Sequence, residues 1–219
     1  MPDDEDSILL TENDYHMRNN TTKTGLFFGS FNPIHLGHLM IASYMIEFTE
    51  IHDVWFIISP HNPLKEKSTL LSDVNRLYMV NVAVEDEPRF KASNIEFHLP
   101  QPSYTIDTLT YLQEKHPNHE FIMLAGSDIL PSFHRWKNYE QLLNHYQFYI
   151  YPRPRGHCER SEATGIIYDT PHPSFTFVDA PMIEISASFI REGIREGKDM
   201  QYFLPAKVWK YVEEMGFYR

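Results

Sequence analysis

Residues 25–38 read GLFFGSFNPIHLGH, and two of them, His35 and His38, are imidazoles three positions apart with Gly37 between them. An apolar run stops at Gly29-Ser30-Phe31, a turn with Asn32-Pro33 follows, and the histidines come at the start of the next apolar-periodic stretch. Side chains three apart on a first helical turn stand on one face. The unpaired N–H groups of a helix N-terminus and the positive end of its dipole suit a phosphate, and imidazole donors add to both. Gly29 and Ser30 let the backbone turn close to such a ligand, and Gly37 removes a side chain at the helix start. Two other readings fit the pair alone. The histidines can be half-buried caps of an ordinary turn, or they can share a metal ion. There is no HExxH motif and no nearby cysteine, so no metal ligand is assigned.

The other residues with chemistry to offer follow the remaining apolar runs. They are Lys65 in SPHNPLKEK, then Gly126, Asp128 and Trp136 in GSDILPSFHRW, the basic PRPRG, and Ile185, Ser186, Ser188 and Arg191 in EISASFIR. Gly, Ser, His, Lys and Arg at strand ends make a phosphate-binding inventory on a chain of net charge −11. Asp128 has two readings, a hydrogen bond to a ribose or a helix N-cap. So has Trp136, a stacking face for a flat ring or plain core packing.

The elements that must position these groups are legible as alternating patterns. Strands are expected at 24–30, 53–59, 90–99, 120–128, 147–154 and 175–181, and helices at 37–50, 72–87, 103–116, 139–146, 186–197 and 205–216. Ser72 is a good N-cap, Pro117 ends a helix, and the last two helices each have a glycine near the end. The alternation predicts an α/β fold, Rossmann-like and doubly wound, with a mainly parallel sheet and helices on both faces. Ligands in such sheets collect beyond the C-terminal strand ends, where the residues above lie.

Composition narrows the classes. The 219 residues are 42% apolar and 14% aromatic, enough for a sizeable core. The acidic balance argues against nonspecific nucleic-acid binding. No apolar run approaches 18 residues, so no membrane span is expected, and the N-terminus lacks a signal-peptide pattern. The single cysteine, Cys158, excludes an internal disulfide and a multi-cysteine zinc site. The expectation is a cytoplasmic protein with a flexible acidic tail over 1–23, one domain over 24–219, and a loop-rich excursion at 155–174.

GSFNPIHLGH resembles the G-x-F-x-P-x-H-x-G-H signature of the nucleotidylyltransferase superfamily, and ISASFIR, 185–191, resembles its I-S-S-T-x-I-R signature. Ala187 and Ser188 depart from the usual Ser and Thr, and Asn32 stands where Asp is common. SPHNPLK, PSYTIDTL, GSDILPSFHRWKNYEQLL and YPRPRG look like the nicotinate mononucleotide adenylyltransferase family. That resemblance implies attack of a nicotinate mononucleotide 5′-phosphate on the α-phosphorus of ATP, giving nicotinate adenine dinucleotide and pyrophosphate. It implies His35 and His38 at the ATP phosphates, with His38 nearest the α-phosphate, and Arg191 on the outer phosphates. Gly29, Ser30, Phe31, Gly37, Lys65, Gly126, Asp128, Ile185, Ser186 and Ser188 would complete the ATP site. Tyr104, Thr105 and Trp136 would hold the pyridine. Mg²⁺ would ride on the triphosphate, with no dedicated protein metal site. Nicotinamide mononucleotide as acceptor, or a non-catalytic nucleotide-binding protein of the same fold, are the alternatives. Oligomeric state is open, a homodimer being one option.

Overall fold

The computed structural model describes residues 21–60, 70–153 and 172–219. Lys65, Cys158, residues 1–20 of the expected tail and residues 155–171 of the expected excursion lie outside the described residues. Six strands form one sheet: β1 (Thr22–Gly29), β2 (Asp53–Ile58), β3 (Phe90–Ser93), β4 (His119–Gly126), β5 (Gln147–Tyr151) and β6 (Phe175–Phe177). Their order is β3-β2-β1-β4-β5-β6, and all five pairings are parallel. This is the order of doubly wound dinucleotide-binding sheets, whose strand sequence reverses beside β1 and opens a crevice between the ends of β1 and β4.

Period-two alternation divides the core between the faces. On β1 and β2, Phe27, Val54, Phe56 and Ile58 belong to one buried cluster, with Ile41, Met45, Met79, Val80, Ile190 and Val208. These come from helices α1 (Leu36–Phe48), α2 (Asp73–Val84), α5 (Ala187–Arg195) and α6 (Ala206–Glu214). Leu26, Trp55 and Ile57 face the other cluster, with Leu109 and Leu112 of α3 (Thr105–Lys115) and Leu142 of α4 (Tyr139–His145). Helices therefore cover both faces, as the sequence reading expects.

Several expectations are corrected. β1 begins at Thr22, inside the expected tail, because Thr22 and Lys23 pair with His119 and Glu120 of β4. The strand expected over 90–99 ends at Ser93 and becomes a 3-10 turn, Ile95–Phe97. β3 is an edge strand with a partner on one side only, so nothing holds the chain extended beyond Ser93. β6 stops at Phe177, short of the expected 181, and a nine-residue 3-10 segment, Ser127–Arg135, follows β4.

The expected helix-end glycines do cap. Gly197 and Gly216 have φ of 73° and 62°, which glycine adopts without a Cβ clash. Lys198 N–H donates to Gly193 O and Gly197 N–H to Ile194 O; Phe217 N–H donates to Val212 O and Gly216 N–H to Glu213 O. Both are the paired bonds of a Schellman ending.

One buried charge ties the sheet to its loops. Arg76 of α2 has no exposed surface, and it shares the inward stripe with Met79, Val80 and Val84. Its guanidinium donates to the carbonyls of Leu71 (3.1 Å), Ser30 (2.6 Å), Ser59 (2.8 Å) and Pro60 (2.9 Å), and to the Asp73 carboxylate. Ser30 follows β1 and Ser59 follows β2, so one side chain sets the spacing of the two loop mouths.

Arg76→Met removes the cation and leaves buried carbonyls without donors. Breaking a buried charged network from one side costs about 3–5 kcal/mol, so urea unfolding should show a loss of that size. Lys207→Ala breaks only exposed pairs with Glu85 and Asp86 and should leave the midpoint unchanged. A loss for Arg76→Met below about 1 kcal/mol, the worth of a single net hydrogen bond, would show that the carbonyls find other partners.

Candidate active site

The crevice starts where β1 runs out. Phe31 has φ 45°, the left-handed region that a bulky residue enters only when its surroundings hold it there. Its ring is 2% exposed and lies over Gly29: a Cβ there would stand 2.9 Å from the ring. The bare Gly29 accommodates that ring. Asn32, which departs from the usual Asp, keeps an acceptor in the turn. Its Oδ1 accepts from Leu71 N–H (3.3 Å) and from the Tyr218 hydroxyl (2.9 Å).

His35 occupies the N-cap of α1 in extended backbone, and His38 stands three residues on. The two rings stack at 3.7 Å between centroids, 23° from parallel. Phe31 and Phe27 meet the His38 ring edge-on at 5.1 and 5.7 Å. The His35 backbone N–H donates to His38 Nδ1 at 3.2 Å. That bond makes Nδ1 an acceptor, so neutral His38 carries its proton on Nε2 and can donate from there. Gly37 leaves room for this stacking: a Cβ would sit 3.1 Å from His35 Nδ1 and 3.0 Å from Ile183 Cγ2, close enough that both neighbours would have to yield.

His35 is 2% exposed, and its Nδ1 is a buried polar atom with no hydrogen-bond partner. The ring lies in capping-box geometry with the His38 backbone amide, short of a full hydrogen bond. Burial pushes the His35 imidazole down to about 3, and the Arg153 charge pushes the same way. The small cleft beside it is lined by His35, Gly37, His38, Tyr151, Arg153, Ile183 and Ile185.

The stretch at 185–191 arrives from the far end of the chain. Ser186 caps α5, its hydroxyl accepting from Phe189 N–H at 3.2 Å. The amides of Ala187 and Ser188 precede the first intrahelical bonds and stay available to an anion. Arg191 donates from Nη1 to Asn32 O at 2.8 Å and from Nη2 to the Ser188 hydroxyl at 3.2 Å. The two signature stretches therefore touch through a single guanidinium. Burial lowers the Arg191 pKa, while nearby Tyr218 counteracts it.

β4 supplies the opposite wall. Gly126, not Asp128, holds the N-cap position of the 3-10 segment, which removes the capping reading of Asp128. Asp128 Oδ1 lies 3.9 Å from Arg153 Nε. A Cβ on Gly126 would meet Asp128 Oδ1 at 2.3 Å and Arg153 Cγ at 2.6 Å, so the bare glycine lets these side chains cross. Trp136 is half-buried, with Phe133 against it at 5.1 Å. Next to it, Lys137 Nζ sits 4.5 Å over the Tyr104 ring and 2.9 Å from Asp107 Oδ2. Lys137 thus reaches Tyr104 and the first turn of α3, which begins at Thr105, while Trp136 itself packs on the core through Phe133.

Sequence reading misses Arg76, Arg153 and Tyr218. A charged residue on the apolar stripe of α2 is the signal for Arg76; Arg153 lies in a stretch already noted as basic; nothing local marks Tyr218. Among the described residues no cluster of three or more His, Cys, Asp or Glu could hold a metal ion, and no helix is long and apolar enough to cross a membrane.

Comparison with known proteins follows the geometry. The Cytidylyltransferase-like family model matches residues 26–193. A relative in Flavobacterium johnsoniae named "Probable nicotinate-nucleotide adenylyltransferase" is 50% identical over 197 residues, 90% of this chain and 99% of that one. A relative of the same name in Bacteroides fragilis is 44% identical over 191 residues, 87% of this chain and 91% of the other. The solved Plasmodium falciparum nicotinic acid mononucleotide adenylyltransferase complexed with NaAD superposes with a TM-score of 0.72 at 22% identity, covering 90% of this chain and 97% of that one. At that identity the likeness speaks for the fold.

The buried, orphaned His35 ring should stay neutral through the physiological range. Its folded value, about 3, lies below the unfolded value of about 6.5. Below about 6.5 the unfolded chain takes up a proton that the folded chain does not, so this group's contribution to stability falls as pH drops from there toward 3. NMR of the ring should show no titration between pH 8 and about 5, and His35→Gln should flatten the acid side of the stability profile. A ring titrating near 6 would mean that water reaches it.

Proposed function

Because the chain belongs to the cytidylyltransferase-like family, and within it to the nicotinate-nucleotide adenylyltransferases, we propose that it transfers the adenylyl group of ATP to nicotinate mononucleotide, releasing pyrophosphate. The observation that carries the reading is the Arg191–Asn32 contact, which joins the two signature stretches at one crevice edge beside the stacked His35 and His38.

The chemistry needs no protein nucleophile, since the acceptor's own phosphate attacks. Catalysis reduces to alignment and to neutralising the charge that develops on the transferring phosphoryl group. His38 donates from Nε2 to an oxygen on the α-phosphorus, held in that tautomer by the His35 amide. His35 stays a neutral imidazole stacked on His38 and helps hold that ring in place. Arg191 grips the outer phosphates with the N–H groups not committed to Asn32 and Ser188, aided by the amides opening α5. Arg153, over Gly126, adds positive charge across the cleft, and Asp128 addresses the ribose. On the acceptor side, Trp136 offers a stacking face and the amides opening α3 at Tyr104 and Thr105 meet the pyridine carboxylate. The groups lining the cleft beside His35 are cationic and neutral, and Asp128 nearby lies 3.9 Å from Arg153. This set fits Mg²⁺ bound chiefly through triphosphate oxygens, where the ion would supply charge neutralisation. The reading places the protein in the cytoplasm.

With ATP and each mononucleotide supplied separately, the acid should exceed the amide in catalytic efficiency by roughly 10²-fold or more, because an amide leaves a buried donor unmatched. Equal efficiencies would defeat acid specificity; absence of dinucleotide and pyrophosphate with either would defeat the transfer. His38→Ala should lower turnover by roughly 10²-fold or more, the scale of one lost transition-state donor, with little change in melting temperature. A folded variant turning over at the wild-type rate removes His38 from the chemistry.

A further inference from the structure

Glu96 is a buried carboxylate that none of the steps above uses. It sits in the 3-10 turn after β3 and is 3% exposed. Its partners are hydroxyls, not cations. Oε1 accepts from Thr108 Oγ1 at 2.8 Å, and the Ser59 and Ser103 hydroxyls lie near enough to favour the charged form of the same carboxylate. Burial raises its pKa, and the three hydroxyls oppose that rise. The three hydroxyls come from three segments, the end of β2, the turn before α3 and the first turn of α3, and the Ile95–Phe97 turn packs against β2. The Glu96 backbone carbonyl also accepts from the Gln101 side-chain amide at 2.8 Å.

A carboxylate is a costly way to fill a core, because taking it out of water is repaid only by a full set of donors. Its advantage is that one rigid group accepts several bonds at once and fixes the segments that donate them. Here the fixed segments frame Tyr104 and Thr105: Ser103 directly precedes them, and Thr108 N–H and Asp107 N–H both return to the Tyr104 carbonyl. Ser59 anchors the assembly to the frame. Its N–H donates to Gly29 O at 2.9 Å, and its carbonyl accepts from Arg76.

We propose that Glu96 is a positioning residue which holds the turn at 103–105 against the end of β2, so that the amides opening α3 are preset for the acceptor's carboxylate. The inference rests on the acceptor reading given above and adds to it the group that sets affinity and acid selectivity from behind the pocket.

Glu96→Gln keeps one acceptor oxygen and loses the other. In steady-state assays of the full chain, it should raise the KM for nicotinate mononucleotide about tenfold and shrink the acid-over-amide preference, with the KM for ATP within about twofold. Thr108→Val removes one donor and should move the same two quantities less, and the double variant should show less than the combined effect. A lower melting temperature with an unchanged mononucleotide KM would make Glu96 merely structural and overturn the proposal, as would equal rises in both KM values. Should Glu96→Gln fail to fold, Thr108→Val and Ser103→Ala carry the same readout, and unchanged mononucleotide KM in both defeats it. Calorimetric binding of nicotinate mononucleotide separates the two readings. Wild-type protein that binds it without transfer contradicts the proposed reaction, while Glu96 is still judged by the affinity of its variant; wild-type protein that does not bind it contradicts both.

Discussion

Arg76 commits all five of its N–H donors, and four of the acceptors are backbone carbonyls. A guanidinium without exposed surface is stable only when its donors are this fully met. The carbonyls it needs are those at the ends of β1 and β2 and before α2, so satisfying the charge and placing the loops are one event. Ser59 shows how far this reaches. Its carbonyl is held by Arg76 and its N–H by the end of β1, and its hydroxyl lies near the Glu96 carboxylate. The loop after β1 and the turn before α3 thus share one residue of frame.

A second hub sits across the same loop. Asn32 receives Arg191 on its carbonyl and Leu71 and Tyr218 on its side chain. Tyr218 has φ 66° and follows the Schellman ending of α6, so the way a helix terminates decides which group reaches the loop. Burial pushes the Tyr218 hydroxyl well above the usual phenol range, with Arg191 and Arg76 pulling against it. It is therefore a neutral donor beside two arginines.

Much of this was legible in the residues. The alternation of apolar runs and amphipathic stretches reads as a doubly wound sheet, because buried parallel strands and capped helices leave local marks such as Ser72 and Gly197. The histidine loop and the 185–191 stretch are legible for the same reason: their chemistry depends on spacing within a few residues. The extension of β3 to 99 fails because Ile95, Glu96 and Phe97 alternate like a strand, while an edge position cannot keep them extended and Glu96 turns inward to hydroxyls. The roles of Arg76, Tyr218 and Glu96 are set by partners distant in the chain, which no window of sequence contains. Gly29 and Gly37 carry a related lesson. Their bareness accommodates the Phe31 and His35 rings, so a glycine beside a ligand site can serve the side chains that build it.

The Asn32 hub also bears on how the site comes into being. Its two long-range bonds span 159 and 186 residues. Closing such wide loops costs chain entropy that local helices do not face, and these contacts belong to the late stages of folding. On a ribosome the histidine loop emerges long before Arg191 and Tyr218 are translated. All six strands precede both residues in the chain, so the sheet can assemble while the loop still lacks them. The histidine loop would then take its final set of contacts only once the last part of the chain is made.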